Sequence, residues 1–160
     1  MLTVQQQQAL VQIATAAVAS ERTTQLPAEL SAAQCIFESG WLSRCPGNNC
    51  FGIKPDDHGA GVQYFISKEF LNGEWKTEQE AFEKYDTLAD CFTDHARLIT
   101  QGAPYAAAWG KYLASEPKDL DGLIHGICPI YATDPDYTTK ILTEAHSTLL
   151  AQALTTARQS

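Results

Sequence analysis

The sequence predicts a mainly α domain, α+β through a single β-hairpin arm, and two observations carry that reading. Apolar residues recur at helical spacing over residues 3–20, 27–39, 86–100 and 134–157. Between the second and third of these stretches the period changes. Residues 62–71 and 74–85 are rich in aromatic and β-branched positions, and Asn72-Gly73 between them is the strongest short-range hairpin signal.

Each element has a local cause. In the first helix Ala9, Leu10, Ile13, Ala17 and Val18 share one side, and the glutamine run at 5–8 is its solvated start. Pro27, with φ already fixed, suits the first turn of the second helix. Leu30, Ala33, Phe37 and Trp41 mark that helix's buried face and Gly40 marks its stop. Asp86 is placed to cap a third helix running to about Thr100, with Leu88, Cys91, Phe92, His95 and Ile99 facing inward. Short helices follow over Tyr105 to Ala114 and Pro117 to Gly126. The last, Asp134 to Ala157, is expected to begin on an Asp134 cap with Pro135 at its first position, and to bury Ile141, Leu142, Ala145, Leu149 and Ala153.

A chain of 160 residues without repeats or linkers reads as one domain, 1–160, long enough to bury about two thirds of its unfolded surface. A formal net charge of -8 with only 11 Lys and Arg excludes nucleic acid as a partner and a basic, electrostatic wall anchor. Met1 to Gln8 holds no Lys or Arg and lacks the regions of a secretory signal peptide, so none is expected. No run of about 18 apolar residues exists, so no membrane span is predicted.

Of the five cysteines, Cys35 and Cys91 fall on apolar helix faces and read as core thiols. Cys45 and Cys50 bracket a turn-forming run and can close as a disulfide in an oxidising compartment; Cys45 can equally pair with Cys35 or Cys128. Their spacing is too loose for a zinc site, and no metal or cofactor is expected.

Glu38 is the residue that most needs explaining. It falls in the last turn of the second helix, where the partial negative charge of the helix end disfavours a carboxylate. Phe37, Trp41 and Phe51 are placed to surround it with apolar surface. Both effects favour the protonated acid, which is the form a general acid needs. The alternative is a solvated helix-end residue.

Six ordered segments bear on the choice: Gln34 through Trp41 (QCIFESGW), Asn48 through Lys54 (NNCFGIK), Lys68 through Trp75 (KEFLNGEW), Phe82 with Tyr85-Asp86, Asp94-His95-Ala96, and Tyr131 through Tyr137 (YATDPDY). Across roughly residues 5 to 150 the chain resembles the glucosaminidases of glycoside hydrolase family 73, the peptidoglycan-cutting enzymes of autolysins, flagellar muramidases and phage lysins. It departs from them at Leu42, where the family usually has Gly, at Cys50, where it has Leu, and at Cys128-Pro129-Ile130.

The resemblance implies a lysozyme-like fold and an endo-β-N-acetylglucosaminidase that cleaves the β-1,4 bond between N-acetylglucosamine and N-acetylmuramic acid, with Glu38 as acid. Glu69 aligns with the acidic residue of the family's hairpin; the plain alternative is an exposed strand residue. Tyr131 aligns with a phenol that lies near the catalytic Glu and stabilises the sugar, including where the substrate's own N-acetyl group is the nucleophile; the alternative is a core tyrosine. Asn49, Phe51 and Lys54 are expected on the cleft floor as an amide for N-acetyl groups, an aromatic for a sugar face and a cation for a carboxylate. Gly52 would permit close backbone approach. Trp41 and Trp75 are candidates for sugar stacking, although the place of Trp41 on the apolar helix face favours a core residue. Glu74, Glu78, Glu80 and Glu83 read as the solvated face of the hairpin, and His95 as a hydrogen-bonded structural histidine.

The rival readings are a muramidase or lytic transglycosylase on the same fold, and a glycan-binding module without catalysis. Action in the periplasm or cell wall without a signal peptide fits two routes. One is an endolysin released through a holin; the other is an antibacterial effector carried by a secretion apparatus, with an immunity protein as partner.

Overall fold

The computed structural model describes residues 2–71 and 74–160, side chains at 67–71 and 74–76 excepted. The chain runs through α1 (Val4–Thr24), α2 (Ala28–Ser39), β1 (Gly61–Leu71), β2 (Glu74–Lys84), α3 (Leu88–Gln101), α4 (Ala106–Ala114), α5 (Leu120–Tyr131), α6 (Tyr137–Ala145) and α7 (Thr148–Gln159), with single 3₁₀ turns at Pro46–Asn48 and Ala103–Tyr105. The mainly helical fold with one hairpin is as the sequence predicts. Asn72-Gly73, the expected hairpin turn, lies outside the described residues.

Small side chains decide the packing. α2 carries Ala28, Ser31, Ala32, Ala33 and Cys35, all buried, and α1, α3, α6 and α7 gather round it. A helix covered on nearly every side must be apolar or small all round. The core it organises includes Ile13, Leu30, Phe92, Ile99, Ile124, Ile141, Leu150 and Leu154, each fully buried. α1 begins with a capping box: Thr3 Oγ1 accepts from Gln6 N at 3.1 Å, and Gln6 Oε1 accepts from Thr3 N at 3.0 Å. Among the described residues no helix is long and apolar enough to cross a membrane.

The hairpin pairs antiparallel from Gly61 opposite Lys84 to Leu71 opposite Glu74. Its base is fixed to the loop before it. Gln63 Nε2 donates to Pro46 O at 2.8 Å, and the carboxylate of Glu83 accepts from Asp56 N at 2.8 Å. Glu83 is therefore buried, 1% exposed, and is not part of a solvated hairpin face.

Four boundaries differ from the sequence reading. Thr87, not Asp86, caps α3, because its Oγ1 accepts from Asp90 N at 3.1 Å while Asp90 Oδ2 accepts from Thr87 N at 3.1 Å. α5 continues past Gly126 and through Pro129 to Tyr131, since Ile127 and Cys128 are fully buried and packing outweighs the breaker. The expected last helix is two, separated at His146-Ser147, where Ser147 Oγ accepts from Leu150 N and starts α7. The break resets the helical phase, so Leu150 and Leu154 are buried and Leu149 is 51% exposed. Asp134 does not cap α6; it accepts from Asp136 N at 2.9 Å and pairs with Lys140 at 2.6 Å.

Candidate active site

α2 stops where the sequence indicates. Gly40 takes a left-handed conformation, φ 57°, and its N–H returns to Ile36 O. Trp41 and Leu42 are left-handed too, φ 61° and 63°, and Ser39 Oγ secures the turn by donating to Cys35 O at 2.6 Å and accepting from Leu42 N at 2.9 Å. This sharp exit leaves Glu38 facing a cleft. Its side chain is exposed, and Phe37 is 40% exposed, so the expected apolar enclosure of the carboxyl does not form.

Two cavities meet at Glu38. One, about 210 Å³, lies toward the hairpin between Arg44, Asn49, Phe51, Gln63, Phe65 and Phe82. The other, about 500 Å³, runs along Phe37, Tyr131, Thr133, Asp134, Tyr137 and Lys140. Both are open grooves of a size to take sugar rings.

Tyr137, at the first position of α6, donates its hydroxyl to Glu38 Oε1 at 2.7 Å, and Gln34 Nε2 donates to the same phenol at 3.4 Å. Sequence reasoning assigned neither residue a role. The only signals were Gln34 one helical turn before Glu38 and Tyr137 closing the YATDPDY run. Tyr131 stacks on the Tyr137 ring, centroids 5.9 Å apart, and lines the same groove as Glu38. Burial and then the charge of Glu38 raise the Tyr131 phenol well above its usual 10; burial and then the hydrogen bond to Glu38 raise Tyr137. Both stay protonated at neutral pH, so Tyr137 is a fixed donor to one carboxyl oxygen and leaves the other free for chemistry. Tyr137→Phe is expected to lower kcat by roughly 10- to 100-fold, the worth of one hydrogen bond to a charged group. Steady-state kinetics beside a thermal melt would check it, and an unchanged kcat would show that the phenol does not orient the acid.

The loop after α2 holds the other candidates. Asn49 is buried: Nδ2 donates to Ile53 O and Glu83 O, both at 2.9 Å, and Oδ1 accepts from Ile53 N at 3.0 Å. Its amide is fully engaged in tying the loop to the hairpin. Phe51 is 8% exposed and stacks on His95 at 3.8 Å. Lys54 pairs with Glu80 at 2.5 Å and lies over the Phe82 ring. Gly52 has φ 64° with open space where a Cβ would stand, so glycine serves the left-handed backbone rather than a close approach. Trp41 lies apart from Glu38's cavities, in a groove beside the start of α1. Glu69 on β1 and Trp75 on β2 have side chains outside those described.

Asp134 is the other described carboxylate lining Glu38's cavities, and the hydrogen bond from Lys140 holds its pKa below the ordinary value. Away from Glu38's cavities, Asp56, His58 and Asp94 bring ligand atoms within 4.8 Å of one another. The Asp94 oxygens, however, already accept from Tyr85 Oη at 2.6 Å and Arg97 Nη1 at 3.0 Å.

His95 differs from expectation. It is fully buried between Phe51 and Tyr131, and neither ring nitrogen has a partner among the described residues. Burial lowers its pKa from 6.5 to about 3. The unfolded chain therefore takes up a proton that the folded chain refuses. Stability is complete above pH 6.5 and falls toward pH 3, by about 1.4 kcal/mol per pH unit. His95→Phe should flatten that acid limb; melts at pH 7 and pH 4.5 that fall equally in both proteins would refute the assignment.

This fold, with a helix-end carboxyl at the junction of two open grooves, defines a lysozyme-like glycoside hydrolase domain. The chain belongs to the glucosaminidase family, described as mannosyl-glycoprotein endo-beta-N-acetylglucosaminidase, whose profile matches residues 14–150. It is 34% identical over 142 residues to an autolysin of Enterococcus faecalis, covering 82% of this chain and 19% of that protein. To a probable N-acetylmuramidase of Lactococcus lactis it is 37% identical over 114 residues, covering 66% and 25%. The C-terminally truncated glycoside hydrolase domain of FlgJ from Salmonella typhimurium superposes with a TM-score of 0.70 at 26% identity, covering 92% of this chain and 96% of that one. The chain thus spans about a fifth of the autolysin and a quarter of the muramidase.

Proposed function

We propose that the domain is a peptidoglycan hydrolase, an endo-β-N-acetylglucosaminidase that cleaves the β-1,4 bond between N-acetylglucosamine and N-acetylmuramic acid. The observation that carries the proposal is Glu38, held by Tyr137 at the junction of two grooves. A glycan lying across that junction would place its bridging oxygen over the free Glu38 oxygen, the position from which an acid protonates a leaving group. Phe51, Phe65 and Phe82 offer an apolar wall to a pyranose face. Asn49 and Lys54 act by holding that wall, Asn49 through the loop and Lys54 through Glu80. Tyr131, and Glu69 on the hairpin, are the groups that meet the developing oxocarbenium ion or orient the N-acetyl group. Trp75 is kept as a sugar-stacking candidate.

The muramidase name of the Lactococcus relative favours a second reading, scission of the other linkage. Digestion of purified peptidoglycan, borohydride reduction and mass spectrometry separate the two. Reduced N-acetylglucosamine ends are expected; reduced muramic acid or anhydro-muramyl ends would establish the muramidase or transglycosylase instead, and no released ends would leave a glycan-binding module. The substrate places the action outside the cytoplasm, in the periplasm or cell wall. Holin-dependent release as an endolysin and export by a secretion apparatus as an antibacterial effector, the latter with an immunity protein, are the delivery routes proposed.

A further inference from the structure

We propose that Cys45 and Cys50 form an oxidisable dithiol, and that its closure to a disulfide clamps the loop forming one wall of the cleft. All five cysteines are thiols here, and Cys45 Sγ lies 2.8 Å from Cys50 Sγ, inside the contact distance of two unbonded sulfurs. Cys45 is half-buried, while Cys35, Cys50, Cys91 and Cys128 are buried, so an external oxidant can reach only Cys45. The thiols of Cys35 and Cys91 also neighbour Cys50. The hydrogen bond it shares with Cys50 lowers the Cys45 pKa, whereas the neighbouring Cys35, Cys45 and Cys91 thiols, together with burial, raise that of Cys50. Cys45 is thus the nucleophile and Cys50 the resolving thiol.

The reaction is a thiol–disulfide exchange with a low-molecular-weight disulfide such as oxidised glutathione. Cys45 thiolate attacks one sulfur of the oxidant and expels a thiol, leaving a mixed disulfide at Cys45. Cys50, giving up its proton, then attacks Cys45 Sγ and expels the second thiol. Two protein thiols are oxidised to one disulfide and one external disulfide is reduced to two thiols.

What the bond would restrain is the turn that carries the cleft wall. Between the two cysteines, Gly47 and Asn48 are both left-handed, φ 59° and 58°, and the same segment contributes Pro46, Asn49 and Cys50 to the wall beside Glu38. A ring this short removes freedom mainly from the unfolded chain, which for a domain of this size corresponds to a rise in melting temperature of roughly 4–9 °C. The regulatory meaning, a cleft wall fixed on arrival in an oxidising compartment, rests on the reading of that cleft as the active site; the linkage itself does not.

The test uses the reduced full chain equilibrated with oxidised glutathione, alkylated, and mapped by non-reducing peptide mass spectrometry beside a thermal melt. We expect a Cys45–Cys50 linked peptide, alkylation confined to Cys35, Cys91 and Cys128, and the rise in melting temperature, with Cys45→Ser abolishing both and Cys50→Ser trapping glutathione on Cys45. Alkylation of all five cysteines, a stable glutathione adduct on Cys45 in the parent, or a link from Cys50 to Cys35 or Cys91 would overturn the proposal. So would the expected link without a change in melting temperature. A failure to cut peptidoglycan with the expected map intact would count against the glycosidase reading alone.

Discussion

Glu38→Gln should melt with the parent and lose lytic activity by ~10²–10⁴-fold or more, the range general acid catalysis commonly supplies. The amide preserves the shape and still accepts the Tyr137 hydroxyl, which now donates to the carboxyl at 2.7 Å, so neither the helix end nor α6 has reason to move. What is lost is the proton that the free oxygen would deliver. Turbidity clearing of purified peptidoglycan and a thermal melt on the same sample make the check. Activity near that of the parent would remove Glu38 from the chemistry; loss accompanied by a lower melting temperature would recast it as a structural residue.

Asn49→Ala is expected to destabilise the fold by about 3 kcal/mol, a fall of roughly 6–12 °C in melting temperature at this chain length. The buried Ile53 N–H loses its acceptor. The Ile53 and Glu83 carbonyls each lose one of two donors, since Glu83 N still reaches Ile53 O and Gln63 Nε2 still reaches Glu83 O. Asn49→Asp should be no milder, because it sets a carboxylate against those two carbonyls. A residue whose work is to bind an N-acetyl group would instead raise KM and leave the melting temperature where it was, and that result would restore the ligand role.

These two residues also show what a sequence exposes and what it withholds. The end of α2 is legible because its cause is local: helical spacing before Glu38, then Gly40 in a left-handed cap. The hairpin is legible for the same reason. Leu42 stands where the family usually has Gly. It keeps φ 63°, a left-handed value that glycine adopts freely and a leucine adopts at some cost. The partners of Asn49 and Glu38 were not legible, because Glu83 is 34 residues away from one and Tyr137 is 99 residues from the other. Phe37 shares a helical face with Leu30 and Ala33, yet in the last turn of α2 Phe37 and Glu38 are exposed at the cleft while Ser39 stays buried. The split between α6 and α7 was missed because Ser147 is a cap without a glycine or proline to announce it.

The two open grooves that meet at Glu38 have a consequence at the scale of the polymer. A dead-end pocket admits only a chain terminus, so degradation nibbles and the mean length of the remaining strands hardly changes per cut. A trough open past the acid on both sides can straddle a strand at any interior repeat, and a single scission there halves a load-bearing thread. On the proposed reading, the wall would lose tensile strength long before much soluble sugar appeared, so a few molecules acting at scattered points would suffice to open it.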